Sequence, residues 1–160
     1  MSTLRSAPLK LFICTSITQK VGKPAEIAKL CALVETIDRT AEAHGATTSC
    51  GFREEGWKGM EDPALYVPRD FKWVRECDAA ILIPEDSWGV RLELGALAIL
   101  EKPMLRLYEG DTDYKTGVES ETGLGQLTRI FDRVFHSLED VEQHVKEFID
   151  FLRSLKDHAR

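Results

Sequence analysis

The chain has 160 residues, the size of one domain, and folding should bury about two-thirds of the surface exposed by the unfolded chain. With 43% hydrophobic and 30% charged residues it lies in the globular range, which excludes a disordered tail and a membrane-spanning protein. The net charge of -6, with Lys and Arg scattered along the chain, leaves no basic stripe for nucleic acid or anionic lipid, so neither is an expected partner.

A single domain over residues 1–160 is expected, with residues 1–8 flexible. The opening MSTLRSAPLK carries no apolar signal region and no small-residue cleavage site, which predicts a cytoplasmic location. Leu9 to Cys14 is a short apolar run bounded by Pro8 and Thr15-Ser16, and predicts a buried first strand. After a loop holding Gly22 and Pro24, apolar residues recur at Ile27, Leu30, Cys31, Val34 and Ile37, one face of a helix, with Gly45 where that helix would stop. Ala46 to Cys50 reads as a short second strand. The following GFREEGWKGMEDP reads as a loop, because its turn residues oppose regular structure.

Ala64 to Glu76 is predicted helical, with Asp70, Trp73, Val74 and Cys77 on one inward face at i, i+3, i+4 and i+7. Asp78 to Pro84 is uninterrupted and apolar, as expected of a central parallel strand covered on both faces. EDSWG leads into the helix VRLELGALAILE, with Leu94, Leu97 and Ala98 inward, and KPMLRLYEG gives a further strand. Gly110 to Gly125 is a polar, turn-rich loop. Arg129 to Phe135 reads as an edge strand, and apolar positions from Leu138 to Leu155 predict a closing helix capped by Ser137. Strands alternating with helices predict an α/β fold: a doubly wound, Rossmann- or flavodoxin-like parallel sheet of about five strands.

In such sheets ligands bind at the carboxyl ends of the strands, where the strand order reverses. The loops after the first and third strands, CTSITQKVGK and PEDSWGVRLELG, therefore carry the expected site. In the second, Ser87 and Gly89 precede a helix whose first N–H groups favour an anion such as a phosphate; Ser87 equally suits a plain helix cap. Glu93 falls in that helix between Leu92 and Leu94, pointing sideways toward the crevice. Together with Asp70 it gives two carboxylates, the pairing that cleaves glycosidic bonds when folding brings them together. In the loop after the second strand, Trp57 and Arg53 suit stacking on and hydrogen bonding to a nucleobase; for Trp57 a lid over the core is an equal reading. The cysteines at 14, 31, 50 and 77 have no CxxC spacing and read as reduced, mostly buried thiols. His44, His136, His144 and His158 lack metal-ligand spacing, and no metal or other cofactor is expected.

The stretch SWGVRLELGALAILEKPMLRLY resembles the nucleoside 2-deoxyribosyltransferase superfamily. FICTSI is similar to that family's first strand and substrate loop, and RDFKWVRECDAAILIP to its helix leading into the third strand. Within the superfamily the likeness is nearest to N-glycosidases of nucleoside 5′-monophosphates, both those acting on deoxynucleoside monophosphates and those acting on CMP or hydroxymethyl-CMP. REEGWKG, Asp70 and KPMLRLYEGDTDYKTGVES resemble the CMP branch more than the base-exchanging transferases. The resemblance implies hydrolysis of a small-molecule nucleotide, with a CMP-like pyrimidine, by a homodimer.

Residue by residue, the resemblance implies that Glu93 is the nucleophile at the anomeric carbon. It implies that Asp70 binds ribose hydroxyls, orients Glu93 or assists proton transfer. Ser16 and Ser87 match phosphate-binding serines, the Gly89 region supplies N–H donors, Phe12 lines the sugar and base pocket, and Ser120 matches a phosphate contact donated across the dimer. One departure stands out: the monophosphate hydrolases carry an arginine where this chain has Thr18, with Lys20 two residues on. A guanidinium fork and an ammonium point charge are not equivalent, so Lys20, Lys23 or Arg91 would have to compensate. Two other readings of the same residues are a 2-deoxyribosyltransferase exchanging bases and a nucleotide-binding sensor without catalysis.

Overall fold

The computed structural model describes residues 7–16, 20–58, 62–85, 87–110 and 127–158. Its elements are β1 (Leu9–Cys14), α1 (Pro24–Ala43), β2 (Ala46–Cys50), α2 (Gly51–Glu54), α3 (Pro63–Glu76), β3 (Ala79–Leu82), α4 (Trp88–Ile99), β4 (Met104–Glu109), β5 (Ile130–Phe135) and α5 (Leu138–His158). The five strands form one sheet in the order β2-β1-β3-β4-β5, and every pairing is parallel. This is the doubly wound order expected from the alternation of strands and helices. The order reverses between β1 and β3, which places the ligand crevice at their carboxyl ends.

Strand side chains alternate between the two faces, and that alternation splits the core in two. Leu9, Leu11 and Ile13 of β1 join Ala79 and Ile81 of β3 beneath α1 and α5. Phe12 and Cys14 join Ala80 and Leu82 beneath α3 and α4. The central strands are therefore apolar on both sides, and each fully buried Leu or Ile contributes about 1.5–3 kcal/mol. At the other edge, Arg106 and Asp132 face each other in the β4–β5 register. Arg106 Nε donates to Asp132 Oδ1 at 2.7 Å and Nη2 to Oδ2 at 3.0 Å, a bidentate pair that fixes the register.

Helix boundaries follow local chemistry. Asp62 Oδ1 accepts from Ala64 N at 2.9 Å to open α3. Ser137 and Asp140 form a capping box at α5: Asp140 N donates to Ser137 Oγ at 3.2 Å, and Ser137 N to Asp140 Oδ2 at 3.1 Å. Gly45 follows α1 at a φ of 64°, the left-handed turn that ends helices without a Cβ penalty. Two expectations need adjusting. Residues 51–54, expected in a loop, form the one-turn helix α2, and α3 begins at Pro63 with Pro68 inside it. Pro63 suits the first turn, where its missing N–H has no helical acceptor to lose. The loop expected over Gly110 to Gly125 lies outside the described residues from position 111 onward. No helix among the described residues is long and apolar enough to cross a membrane.

Candidate active site

α4 leaves the carboxyl end of β3 on the side of the sheet that holds Phe12 and Cys14. Its inward residues Val90, Leu94, Leu97 and Ala98 are buried there, which swings Glu93 to the margin of the packed stripe. Its carboxyl turns back toward the strands, and Cys14 Sγ donates to Glu93 Oε2 at 2.7 Å. Burial above all raises the Glu93 carboxyl, the Cys14 hydrogen bond and Arg69 pull it down, Asp70 raises it, and the net effect is a value of about 7. Near neutrality Glu93 can therefore be either acid or carboxylate, the range in which general acid–base and nucleophilic groups operate.

Asp70 comes from α3, whose inward face also carries Val74 and Cys77 at the spacing expected from the sequence. Arg69 Nε donates to Asp70 Oδ1 at 2.9 Å, and Arg69 Nη2 to Glu55 Oε1 at 2.6 Å. Burial raises the Asp70 carboxyl, the Arg69 bond and charge lower it, and Glu55 raises it, the net shift being upward. The Arg69 guanidinium lies 4.9 Å from the Trp73 ring centroid, and Trp73 packs against Phe12 at 6.4 Å between centroids. Gly51 completes the cluster. A Cβ there would lie 2.9 Å from Arg69 Nη2 and 3.5 Å from Asp70 Oδ1, so the absent side chain makes room for the guanidinium.

Glu93 and Asp70 are thus brought together, as two electrostatically coupled, partly buried carboxyls at the strand-order reversal. Cys14, Glu55, Arg69 and Gly51 were not singled out from the sequence for this site. In the sequence Cys14 reads only as a buried thiol, Glu55 sits in a run that reads as a loop, and Arg69 is the immediate neighbour of Asp70. All four cysteines are free thiols, Cys14, Cys50 and Cys77 being buried.

The expected binding residues divide. Ser16 is buried just beyond β1, and Ser87 is the cap of α4, its Oγ accepting from Val90 N at 3.2 Å. Gly89 lies in the first turn of the same helix, where N–H groups lack helical acceptors. Phe12 is buried in the sheet against Trp73, within the core layer that carries Cys14. Lys20 is engaged elsewhere: its ammonium contacts Glu85, and both residues line a cavity of about 390 Å³ together with Leu30, Leu33, Ile83, Leu107 and Phe135. Burial lowers the Lys20 pKa, partly offset by Glu26 and Glu109. Glu85 is 8% exposed, a buried acid that sequence patterning did not reveal. Arg53 is held by β2 and α1, donating to Thr48 Oγ1 and Thr48 O at 2.9 Å each and lying 2.8 Å from Asp38. Trp57 packs on the α1–α5 core, as the lid reading expects. Thr18 and Ser120 lie outside the described residues. Among the described residues no group of three His, Cys, Asp or Glu could hold a metal ion.

No protein-family model matches the chain, and no curated sequence does. Solved structures do. BlsM, solved in solution, superposes with a TM-score of 0.68 at 19% identity, over 92% of this chain and 93% of that one. A conserved protein from Enterococcus faecalis V583 superposes with a TM-score of 0.59 at 17% identity, over 89% and 99%. The CMP N-glycosidase BcmB of Clostridium botulinum gives a TM-score of 0.57 at 16% identity, over 87% and 98%. At such identities the likeness is one of architecture: the chain has the five-stranded parallel α/β fold of these proteins, the fold that its resemblance to the nucleoside 2-deoxyribosyltransferase superfamily implied.

Proposed function

We propose that the protein belongs functionally to that superfamily and hydrolyses the N-glycosidic bond of a nucleoside 5′-monophosphate, of CMP-like pyrimidine type, to free base and ribose 5-phosphate. The observation that carries this reading is the Glu93 carboxyl, buried at the strand-order reversal, raised to about 7, and coupled to Asp70. The architecture shared with a CMP N-glycosidase supports the choice of substrate class.

The Glu93 carboxylate attacks C1′ as the C1′–N bond breaks through an oxocarbenium-like state, and the bonding pair leaves with the base, which takes up a proton. A water then cleaves the glycosyl ester, returning Glu93 and releasing ribose 5-phosphate. Asp70, braced by Arg69, holds the ribose hydroxyls and keeps C1′ facing Glu93. Ser16, Ser87 and the N–H groups around Gly89 take the 5′-phosphate, so that binding energy remote from the reacting bond positions the sugar. A homodimer formed through the outer face of α4 completes the proposal.

Chromatography of the protein incubated with ribo- and deoxyribonucleoside 5′-monophosphates, beside the matching nucleosides, tests it. Free base from one monophosphate, absent with its nucleoside and with Glu93→Ala, is the expected result; near-normal release by Glu93→Ala sinks the assignment. One observation favours a second reading. Lys20 is committed to Glu85, which removes a cation from the phosphate end and suits a nucleoside substrate with base exchange. A new nucleoside formed from a deoxynucleoside plus a foreign base would select that reading.

A further inference from the structure

We propose that Cys14 is a positioning residue for Glu93: its thiol anchors Oε2 and thereby assigns the attack on the anomeric carbon to Oε1. The inference rests on the nucleophilic role given to Glu93 above.

The geometry starts with the backbone. Cys14 ends β1, registers with Leu82 of β3, and its carbonyl accepts from Ile83 N at 3.0 Å. The Cα–Cβ vector is fixed from two sides of the chain, and the side chain is 0% exposed. Strand alternation points it to the α4 side, where it meets a carboxylate rather than the apolar neighbours that most buried thiols contact. The thiol lies within hydrogen-bond reach of Oε2, with Sγ as the donor, so the contact is polar and not packing alone.

The charged and titratable groups around Glu93 are Asp70 and Arg69 from α3, with Cys14 from β1; Cys14 in turn feels Asp70 and, from β2, Cys50. Asp70 opposes ionisation of Glu93, and Arg69 assists it by charge, its own hydrogen bonds going to Asp70 and Glu55. Cys14 gives Glu93 a direct donor. Burial and the adjacent Glu93 push the Cys14 thiol well above its ordinary value, so the sulfur keeps its proton throughout the neutral range. It donates and does not compete as a nucleophile. A hydrogen bond to one carboxylate oxygen also removes a rotational choice from a long side chain, the effect required of a group positioned for in-line attack.

The test compares Cys14→Ala and Cys14→Ser in the full chain. Two readouts need no substrate: the titration of the Glu93 carboxyl followed by carbon NMR, and the S–H stretching band of the unaltered protein beside Glu93→Ala. Cys14→Ala should raise the titration midpoint of Glu93 and lower kcat about ten-fold with little change in KM. Cys14→Ser, which keeps a donor, should restore both. The S–H band should move to higher wavenumber in Glu93→Ala, whatever the stability of the Cys14 variants. An unmoved Glu93 midpoint in Cys14→Ala, or an S–H band indifferent to Glu93, overturns the proposal. A shifted midpoint in a protein that cleaves no nucleotide or nucleoside keeps the Cys14–Glu93 contact and overturns the nucleophilic role instead.

Discussion

Arg69 and Asp70, adjacent in sequence, are paired midway along α3: Nε donates to Oδ1 at 2.9 Å while Nη2 reaches Glu55 Oε1 at 2.6 Å. One guanidinium thus pairs with two carboxylates that are largely removed from water, their side chains 7% and 15% exposed. Asp70→Asn keeps the shape and removes the charge, and should lower kcat about 10²-fold or more with the fold intact. Arg69→Gln should be the more destabilising of the two, by about 1–3 kcal/mol, because it leaves Glu55 and Asp70 without their shared donor. Denaturant unfolding of both variants beside steady-state kinetics checks the pair; a silent Arg69→Gln would show that the bridge is dispensable.

Glu93 offers a prediction with opposite signs for activity and stability. Activity needs the carboxylate, so kcat/KM should rise with pH through about 7, the value to which burial pushes this group. Stability runs the other way. The folded pKa is raised above the ordinary 4.5, so the contribution of the protonated group is fully present below about pH 4.5 and is lost as pH rises through about 7. Glu93→Gln removes the buried charge and keeps an acceptor for Cys14. It should therefore be inactive, yet more stable than the unaltered protein above pH 7, by up to about 3 kcal/mol. The two should unfold alike near pH 4. Urea titrations at both pH values check this, and equal stability at high pH would mean that Glu93 is better solvated than its position implies.

Gly51 should be intolerant for a reason of space. A Cβ 2.9 Å from Arg69 Nη2 and 3.6 Å from Asp70 Oδ2 forces the guanidinium aside, and the carboxylates it joins leave it little room to yield. Gly51 opens α2 with ordinary backbone angles, so alanine there costs the backbone nothing. Through the displaced guanidinium, Gly51→Ala should lower the melting temperature, by no more than Arg69→Gln does, and lose several-fold in kcat/KM. Parallel calorimetry and kinetics check both effects, and an unaltered melting temperature with unaltered kcat/KM would show that the guanidinium yields to the methyl group without cost.

Much of this architecture is legible in the sequence because each element carries its own period. β3 reads as an unbroken apolar run because both of its faces are covered, and α3 shows Asp70 inward because Val74 and Cys77 mark its buried side. The two carboxylates were accessible by the same logic. What surrounds them was not: the Cys14–Glu93 contact joins residues 79 apart in sequence, and no local pattern announces that a thiol at a strand end will meet a glutamate one turn into a later helix. The Lys20–Glu85 contact is hidden for a related reason: Lys20 in the first loop suits a phosphate by its local setting, while Glu85 comes from the loop after β3, and no local pattern announces their pairing. Trp57 and Arg53 sit beyond the end of β2 on the other side of the sheet, where the α1–α5 core and Asp38 claim them.

The outer face of α4 leads to the assembly expected from the resemblance. Trp88, Leu92 and Ile99 are 80%, 58% and 77% exposed and fall at i, i+4 and i+11, one stripe along the helix. An apolar stripe of this kind on a monomer's surface marks an interaction site. Sedimentation velocity should give the mass of a dimer, and Leu92→Glu or Ile99→Glu should give a monomer. A monomeric unaltered protein would remove the dimer from the proposal.

Ser87 lets the capping and phosphate roles be separated by a single substitution. Its Oγ accepts from Val90 N at 3.2 Å, and replacing it by alanine should cost about 1 kcal/mol of stability whether or not a phosphate binds there. Aspartate caps a helix as well as serine does and complements the dipole, so Ser87→Asp should fold with undiminished stability. Its charge, however, would sit where the 5′-phosphate is proposed to lie and repel it. Ser87→Asp should therefore raise KM for the monophosphate at least about ten-fold, an effect that weakens as salt screens the repulsion. Turnover of any nucleoside substrate should be unchanged. If Ser87→Asp handles the monophosphate as the unaltered protein does, the phosphate lies elsewhere and Ser87 serves α4 alone.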